Sequence, residues 1–243
     1  MKTVLLLGAT SDIGQALAEK YAKEGHNIVL AGRNMEHMEH ISSDIKIRHE
    51  VKVEYYHFDA LDYASHQKFY DELPGTPDIA ICIFGYLGDQ EKAQTDWAEC
   101  RQIMEVNYNA AVSILNVIAE SLAQLRAGTI VGISSVAGDR GRQSNYFYGS
   151  AKAGFTAYLS GLRNRLFHNN VHVLTVKPGF VDTKMTEGLD LPKPLTAQPS
   201  QVANAIFKAV NKKKNTLYTL GIWWVIMTII KSIPEFIFKK LKL

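Results

Sequence analysis

Short apolar segments alternate along the chain with longer segments whose apolar positions recur every three or four residues. The apolar segments predict strands at residues 3–7, 27–31, 51–58, 79–84, 129–134, 171–176 and 216–219. The periodic segments predict helices near residues 13–24, 35–48, 63–73, 95–126, 148–168 and 200–211. Strands without polar alternation that lie between helices are typical of a parallel sheet covered on both faces. The pattern therefore predicts one doubly wound α/β domain with about seven parallel strands flanked by helices.

The charge, the cysteines and the histidines of the chain argue against several classes of function. A net charge of +3, without a basic stripe interleaved with aromatic residues, argues against nucleic acid as a partner. The two cysteines, Cys82 and Cys100, have no metal-binding or disulfide spacing, and the apolar run at residues 4–7 is too short for a signal peptide. We therefore expect a cytoplasmic protein. His37 and His40 share a helix face but have no further ligand at useful spacing, so we expect no metal site.

A glycine-containing turn follows the first strand: Gly8-Ala9-Thr10-Ser11-Asp12-Ile13-Gly14. Small residues let backbone amides approach a pyrophosphate, and the amino terminus of the next helix adds free N–H groups. The generic dinucleotide motif would have glycine at position 12, where this chain has aspartate. Any turn between a strand and a helix can hold two glycines, but the position directly after the first buried strand favours cofactor binding.

The second predicted strand ends at Arg33, with no acidic residue at its tip. An acid there would favour the free ribose 2′-hydroxyl of NAD, whereas a guanidinium matches a 2′-phosphate. The sequence therefore favours NADP, with NAD as the other possibility. Arg33 could instead cap a helix or face solvent.

A serine, a tyrosine and a lysine surround the fifth strand and the helix after it. Tyr148 and Lys152 are four residues apart, so they share a helix face, and Ser135 ends the strand. An ammonium beside a phenol favours the phenolate, so we expect Lys152 to lower the pKa of Tyr148. Such a pair occurs on many helices without function.

Together these motifs resemble the short-chain dehydrogenase/reductase family over about residues 2–215, which implies a Rossmann-type fold. The resemblance implies Ser135, Tyr148, Lys152 and Asn107 as catalytic residues, and it places Asp59 at the adenine. The loop Pro178-Gly179-Phe180-Val181-Asp182-Thr183 resembles the one that flanks the nicotinamide, with Thr183 contacting the carboxamide or a phosphate. Cys82-Ile83-Phe84-Gly85 replaces the family's Asn-Asn-Ala-Gly and retains only Gly85.

The resemblance also implies a mechanism and an assembly. Ser135 and Tyr148 would bind a substrate carbonyl, Tyr148 would give its proton, and Lys152 would hold the ribose and lower the pKa of Tyr148 together with the oxidised nicotinamide. Asn107 would position a water that connects Lys152 with solvent. A homodimer or homotetramer would form through the helices at residues 95–126 and 148–168.

The carboxyl-terminal part departs from a compact catalytic domain. Residues 182–199, here called the flap, are rich in Leu, Pro and Thr and are expected to form a mobile cover for the substrate within a catalytic domain of residues 1–219. Residues 220–243, the extension, contain an apolar run near residues 221–230 that is about half the length of a membrane span. The extension could pack on the domain or on another subunit. Its tryptophans and lysines also suit a membrane interface, which would place the protein peripherally on the inner face of a membrane.

The substrate remains open at this point. Segments at residues 84–89, 144–150 and 233–238 more narrowly resemble the keto-reductases that act on decaprenylphosphoryl-ketoribose and related polyprenyl lipids, which suggests a lipid-linked ketone or alcohol. A 3-oxoacyl or steroid-type ketone reductase is an alternative within the enzyme class. A cofactor-binding regulatory protein without catalysis is the alternative from another class. No Gly-x-Ser-x-Gly motif is present, which argues against a hydrolase.

Overall fold

A computed structural model describes residues 1–242, and its centre is a seven-stranded parallel sheet. The strands are β1 (Thr3–Leu7), β2 (Asn27–Gly32), β3 (Val53–His57), β4 (Ile79–Cys82), β5 (Thr129–Ile133), β6 (His172–Lys177) and β9 (Thr216–Tyr218). Their order across the sheet is β3-β2-β1-β4-β5-β6-β9. The predicted doubly wound α/β domain with seven parallel strands is confirmed. The strand order reverses between β1 and β4, where folds of this kind form a ligand-binding crevice.

Helices cover both faces of the sheet. One face packs against α1 (Asp12–Lys23), α2 (Met35–His49) and α8 (Pro199–Asn211), and the other against α3 (His66–Asp71), α6 (Ala110–Leu125) and α7 (Tyr146–Leu166). Strand β1 shows why the strands lack polar alternation. Val4 and Leu6 belong to the first core and Leu5 and Leu7 to the second, and all four side chains are buried. A strand buried on both faces must be apolar at every position.

Three local features differ from the sequence expectation. The helix predicted at residues 95–126 is α5 (Trp97–Met104), a π-helical turn (Glu105–Asn109) and then α6. A one-turn helix, α4 (Gln90–Ala93), precedes it. Within the flap, β8 (Thr196–Ala197) pairs with β7 (Phe180–Val181) in a second, two-stranded parallel sheet. The flap is therefore attached to the loop after β6 by backbone hydrogen bonds.

The extension forms α9 (Gly221–Ser232) and α10 (Glu235–Phe238), and Leu243, its last residue, lies outside the described residues. Trp223 and Met227 are buried and pack with Val136, so one face of α9 lies against the domain. Arg140 fixes the end of α9: its guanidinium donates to the Ile230 carbonyl at 2.6 Å and lies 3.6 Å from the centroid of the Phe238 ring. Within residues 1–242, no helix combines the length and apolarity needed to cross a membrane.

Candidate active site

A cavity of about 590 Å³ opens at the carboxyl ends of the central strands. Its walls come from the loops after β4, β5 and β6, from the amino-terminal part of α7, from the flap and from α9. Of the site residues expected from the sequence, those that line the cavity are Ile13, Gly85, Ser135, Tyr148, Lys152, Pro178, Gly179, Val181 and Thr183. Side chains from distant parts of the sequence therefore meet at the edge of the sheet where the strand order reverses.

Ser135 and Tyr148 lie together in this wall. Ser135 follows β5, and its Oγ accepts a hydrogen bond from the Ala137 amide at 3.1 Å, which fixes the orientation of the hydroxyl. Burial raises the pKa of Tyr148 to about 12, and a side-chain hydrogen bond with Ser135 opposes this rise. The phenol therefore keeps its proton at neutral pH.

Lys152 lies beneath the tyrosine, with only 3% of its surface exposed. Its ammonium donates to the Ile133 carbonyl at 3.0 Å and lies 5.7 Å from the centroid of the Tyr148 ring. Burial lowers the pKa of Lys152 to about 8, and Cys82 opposes this shift. The pKa of Tyr148 is therefore raised, against the expectation that Lys152 would lower it, because desolvation of the phenol is the dominant effect.

Asn107 lies in the π-helical turn and is 1% exposed. Its amide nitrogen donates to the carbonyls of Tyr86 at 2.6 Å and Ile103 at 2.8 Å, and its Oδ1 accepts from the Tyr86 amide at 3.2 Å. Asn107 therefore holds the loop after β4 in place. A Cβ on Gly85 would lie 3.0 Å from Asn107 Oδ1 and 3.5 Å from Lys152 Nζ. The absence of a side chain at Gly85 therefore lets the Asn107 amide and the Lys152 ammonium approach the loop after β4.

The glycine turn packs tightly between β1 and α1. Gly8 has a φ of +96°, and a Cβ there would lie 2.7 Å from the Phe84 amide nitrogen. A Cβ on Gly14 would lie 2.6 Å from the Gly8 carbonyl, so α1 starts in close contact with the turn. Ser11 caps α1 by accepting from the Gly14 amide at 3.1 Å. The first amides of a helix have no intrahelical partner, so those before Gly14 are available to a ligand.

Asp12 replaces a glycine of the generic motif and contacts the flap. Its Oδ2 accepts a hydrogen bond from the Lys184 amide at 2.8 Å. Lys184 begins a short 3₁₀ turn that follows Thr183. The carboxylate therefore connects the glycine turn with the flap, a contact between residues 172 positions apart.

The two residues expected at the adenosine end lie after β2 and β3, respectively. Arg33 follows β2 and is exposed. Asp59 follows β3, and its Oδ1 accepts from the Leu61 amide at 3.0 Å, which closes a local turn. Thr10 lies in the glycine turn, where its carbonyl accepts from the Gln15 side chain at 3.0 Å.

The loop after β6 is covered by Trp223 of the extension. A Cβ on Gly179 would lie 1.9 Å from the Trp223 ring, so only glycine fits beneath the indole. The indole Nε1 donates to the Leu195 carbonyl of the flap at 3.0 Å, and the ring meets Phe180 edge-on at 5.2 Å. Trp223 also lines the cavity. Sequence reasoning missed this wall residue, because the apolar pattern of α9 does not show which surface its tryptophans contact.

Comparisons with known proteins bear on the family and the fold of the chain. The family model for short chain dehydrogenases matches residues 2–193. An uncharacterized oxidoreductase of Mycobacterium tuberculosis is 35% identical over 241 residues, which cover 98% of this chain and 96% of that protein. A 3-oxoacyl-acyl-carrier-protein reductase of Chlamydia muridarum is 28% identical over 192 residues, 77% of each chain. A short-chain dehydrogenase from Sphingobium yanoikuyae, solved in complex with NADPH, shares the fold with a TM-score of 0.83 at 21% identity, covering 97% of each chain.

Proposed function

The chain belongs to the short-chain dehydrogenase family, and we propose that it reduces a ketone to a secondary alcohol at a site formed by Ser135, Tyr148, Lys152 and Asn107. It is an oxidoreductase that uses a nicotinamide nucleotide. The observation that carries the proposal is the meeting of Ser135, Tyr148 and Lys152 in one cavity beside the glycine turn.

The residues around the cavity fit a dinucleotide. Gly8, Ser11 and Gly14 form a close turn with unpartnered helix amides, which suits a pyrophosphate. Lys152 and Tyr148 would hold the ribose beside the nicotinamide, and the loop at residues 178–183 would flank the ring. When bound, the nicotinamide supplies or accepts the hydride.

The protein residues bind the carbonyl and move the proton. The hydroxyls of Ser135 and Tyr148 would donate to the carbonyl oxygen and stabilise the negative charge that develops on it. Since the pKa of Tyr148 is raised to about 12, its phenol is protonated at neutral pH and can act as the general acid. The charge on Lys152 would assist this transfer. Asn107, which holds the loop after β4, would position a water that connects Lys152 with solvent.

Replacement of Tyr148 tests the assignment. Tyr148→Phe keeps the ring but removes the proton, so we expect turnover to fall about 100- to 10,000-fold while NADPH still binds. Turnover is followed by the absorbance of the reduced nicotinamide on a panel of prenyl-phosphate sugars, sterols and acyl ketones, and NADPH binding by its fluorescence. Tyr146→Phe, two residues away and exposed, is the matched control. Near-normal turnover by Tyr148→Phe would remove the catalytic assignment. Loss of NADPH binding as well would indicate a structural role.

We propose NADP as the preferred cofactor because Arg33 is exposed after β2, where a 2′-phosphate would bind. An interaction between a guanidinium and a phosphate contributes about 1.5–3 kcal/mol. Arg33→Ala should therefore raise the KM for NADPH about 10- to 100-fold and leave that for NADH nearly unchanged. Equal effects on the two cofactors would contradict the preference.

We propose that the extension binds an anionic membrane surface and that the substrate is a lipid-linked ketone, as the narrower resemblance implies. Large apolar side chains are exposed on α9 and after it: Ile222, Trp224, Val225, Ile229, Phe236, Ile237 and Leu241. Exposed lysines accompany them: Lys231, Lys239, Lys240 and Lys242. The acid within this segment, Glu235, is paired with Arg140 at 2.9 Å. Apolar side chains beside positive charge suit the surface of an anionic bilayer.

Vesicle flotation tests the membrane proposal. We expect the protein to bind vesicles with anionic phosphatidylglycerol and to bind neutral phosphatidylcholine weakly. Trp224→Glu combined with Ile229→Glu should abolish binding. Ile47→Glu, an exposed apolar position in α2, should not. Equal flotation of all variants, or no binding by the unmodified protein, would contradict the proposal.

A 3-oxoacyl reductase is the second candidate, and it is favoured by the similarity to the Chlamydia muridarum enzyme. The turnover assay distinguishes the two candidate functions, because a 3-oxoacyl reductase should prefer 3-oxoacyl thioesters to lipid-linked ketones.

We also propose a homodimer or homotetramer through α5, α6 and α7. Light scattering should then give two or four times 27.2 kDa, and a monomer at micromolar concentration would contradict this.

A further inference from the structure

The cavity contains a second set of polar groups, separate from Ser135 and Tyr148. Three side-chain atoms of its lining residues are buried and have no hydrogen-bond partner within residues 1–242: Gln90 Nε2, Arg142 Nε and Asn145 Oδ1. Buried polar atoms are almost always paired in native proteins, and each exception requires an explanation. Gln90 Nε2 and Arg142 Nε are donors, so this part of the cavity wall holds hydrogen-bond donors that no acceptor of the described chain uses.

Arg142 is the charged member of this set. Burial lowers its pKa, and Asp139 opposes this shift. However, both carboxylate oxygens of Asp139 are engaged, one by the Lys177 ammonium and the other by the Tyr218 hydroxyl at 2.7 Å. Asp89, an acid in the cavity wall, caps α4 through its Oδ1 and is exposed. The positive charge of Arg142 is therefore not neutralised by an ion pair within the described chain.

The polar groups line the same cavity as Tyr148, and local contacts orient them. Asn145 is the residue before α7 and precedes Tyr148 by three positions, about one helical turn. Arg142 is joined to it by a turn in which the Asn145 amide donates to the Arg142 carbonyl at 3.1 Å. Gln90 is oriented by the Phe147 amide, which donates to its Oε1 at 3.2 Å. The Gln90 amide nitrogen is thus the unpaired end, and it shares the cavity with the guanidinium.

Apolar side chains form other parts of the wall, among them Leu87, Val136, Phe180, Met185, Leu189 and Trp223. The cavity therefore has a cationic, hydrogen-bonding region near Tyr148 and an extensive apolar lining. A guanidinium binds the oxygens of a phosphate or carboxylate in a bidentate manner.

We propose that Arg142, assisted by the amide nitrogen of Gln90, binds an anionic group of the substrate, a phosphate or a carboxylate, in the same cavity as the reacting carbonyl. The apolar wall then holds the hydrocarbon part of the same molecule. The inference rests on the proposed function for the identity of the pocket, but the anion site itself can be measured without turnover.

Calorimetry with phenyl phosphate and benzoate on the NADP-loaded protein tests the site directly. We expect at least one of these probes to bind the unmodified protein, and Arg142→Gln to weaken that binding about 10- to 100-fold. Arg165→Gln removes an exposed guanidinium that is paired with Glu120, and it should bind as the unmodified protein does. The probe that binds more tightly identifies the anion as phosphate or carboxylate. Binding that is absent, or equal in all three proteins, overturns the proposal.

Turnover separates this proposal from the proposed function. The matched substrates are 2-octanone, 7-oxooctanoate and 7-oxooctyl phosphate. We expect kcat/KM for at least one charged ketone to exceed that for 2-octanone about 10- to 100-fold. Arg142→Gln should remove this preference and Arg165→Gln should keep it. Reduction of all three with no dependence on Arg142 would overturn the anion site and leave the oxidoreductase in place. Probe binding that depends on Arg142, without reduction of any ketone, would support the anion site and contradict the proposed function.

Discussion

The ammonium of Lys152 is buried in the cavity wall, and this burial of a charge should lower the free energy of unfolding. The pKa of Lys152 falls from its ordinary 10.5 to about 8 through desolvation. A shift of this size corresponds to about 3 kcal/mol of destabilisation at neutral pH, where the group is charged in both the folded and the unfolded protein. Between pH 8 and 10.5, Lys152 is protonated in the unfolded chain but largely deprotonated in the folded protein, so the free energy of unfolding rises with pH. We expect a gain of about 2.5 kcal/mol from pH 7 to pH 10.

Comparison with Lys152→Met isolates this contribution from other titrating groups. The methionine carries no charge, but it leaves the Ile133 carbonyl without its donor at a cost of about 1–3 kcal/mol. The variant should therefore be as stable as the unmodified protein, or slightly more stable, at pH 7 and less stable at pH 10. Urea unfolding of the two proteins without nucleotide, at both pH values, measures the difference. Lys68→Met, at an exposed lysine, is the control.

The result that would refute the reasoning is a stability difference between the unmodified protein and Lys152→Met that does not change with pH. Such a result would mean that the ammonium is solvated in the native state. A large loss of stability in Lys152→Met at pH 7 would instead mean that the contact with the Ile133 carbonyl outweighs desolvation.

Three further outcomes are expected. Gly179→Ala forces a Cβ to within 1.9 Å of the Trp223 ring and should lower stability by about 3 kcal/mol or more in thermal unfolding, whereas Gly161→Ala, with open space around its Cβ, should not. Asp12→Ala removes the acceptor of the flap amide and should raise the KM for the ketone about 2- to 10-fold, whereas Asp12→Asn, which keeps an acceptor oxygen, should not. Because the pKa of Tyr148 is about 12, oxidation of the alcohol should accelerate with pH from pH 7 to pH 8, the range in which Lys152 still carries charge; a flat profile would contradict this.

Most of the seven-stranded sheet could be predicted because its five central strands are almost entirely buried, and continuous apolar runs are a local signal. The helix predicted at residues 95–126 is in fact interrupted at Glu105–Asn109. Asn107 lies in this turn, and its side-chain amide donates hydrogen bonds to the carbonyls of Ile103 and of Tyr86, which is distant in the sequence. A contact with the loop after β4 has no counterpart in the local periodicity of α5 and α6, so sequence alone predicted a regular helix.

The candidate site was predictable as far as residue types and spacings define it. Ser135, Tyr148 and Lys152 lie in one cavity as the spacing suggested. The pKa of Tyr148 was predicted to be lowered but is raised, because the burial that raises it is a property of the folded protein and not of the local sequence. The contact between Asp12 and the flap and the wall formed by Trp223 depend on pairs far apart in the chain. No local pattern contains such information.

The position of Trp223 has a practical consequence for handling this enzyme. Its indole fills the space above Gly179 and is hydrogen-bonded to Leu195, while the adjacent Trp224 points outward. A protein cut before Gly221 would lose one side of its reaction chamber although every proposed catalytic group remained. Affinity tags and fusion partners therefore belong at the amino terminus, and proteolytic trimming of the tail should be monitored whenever specific activity is compared between preparations.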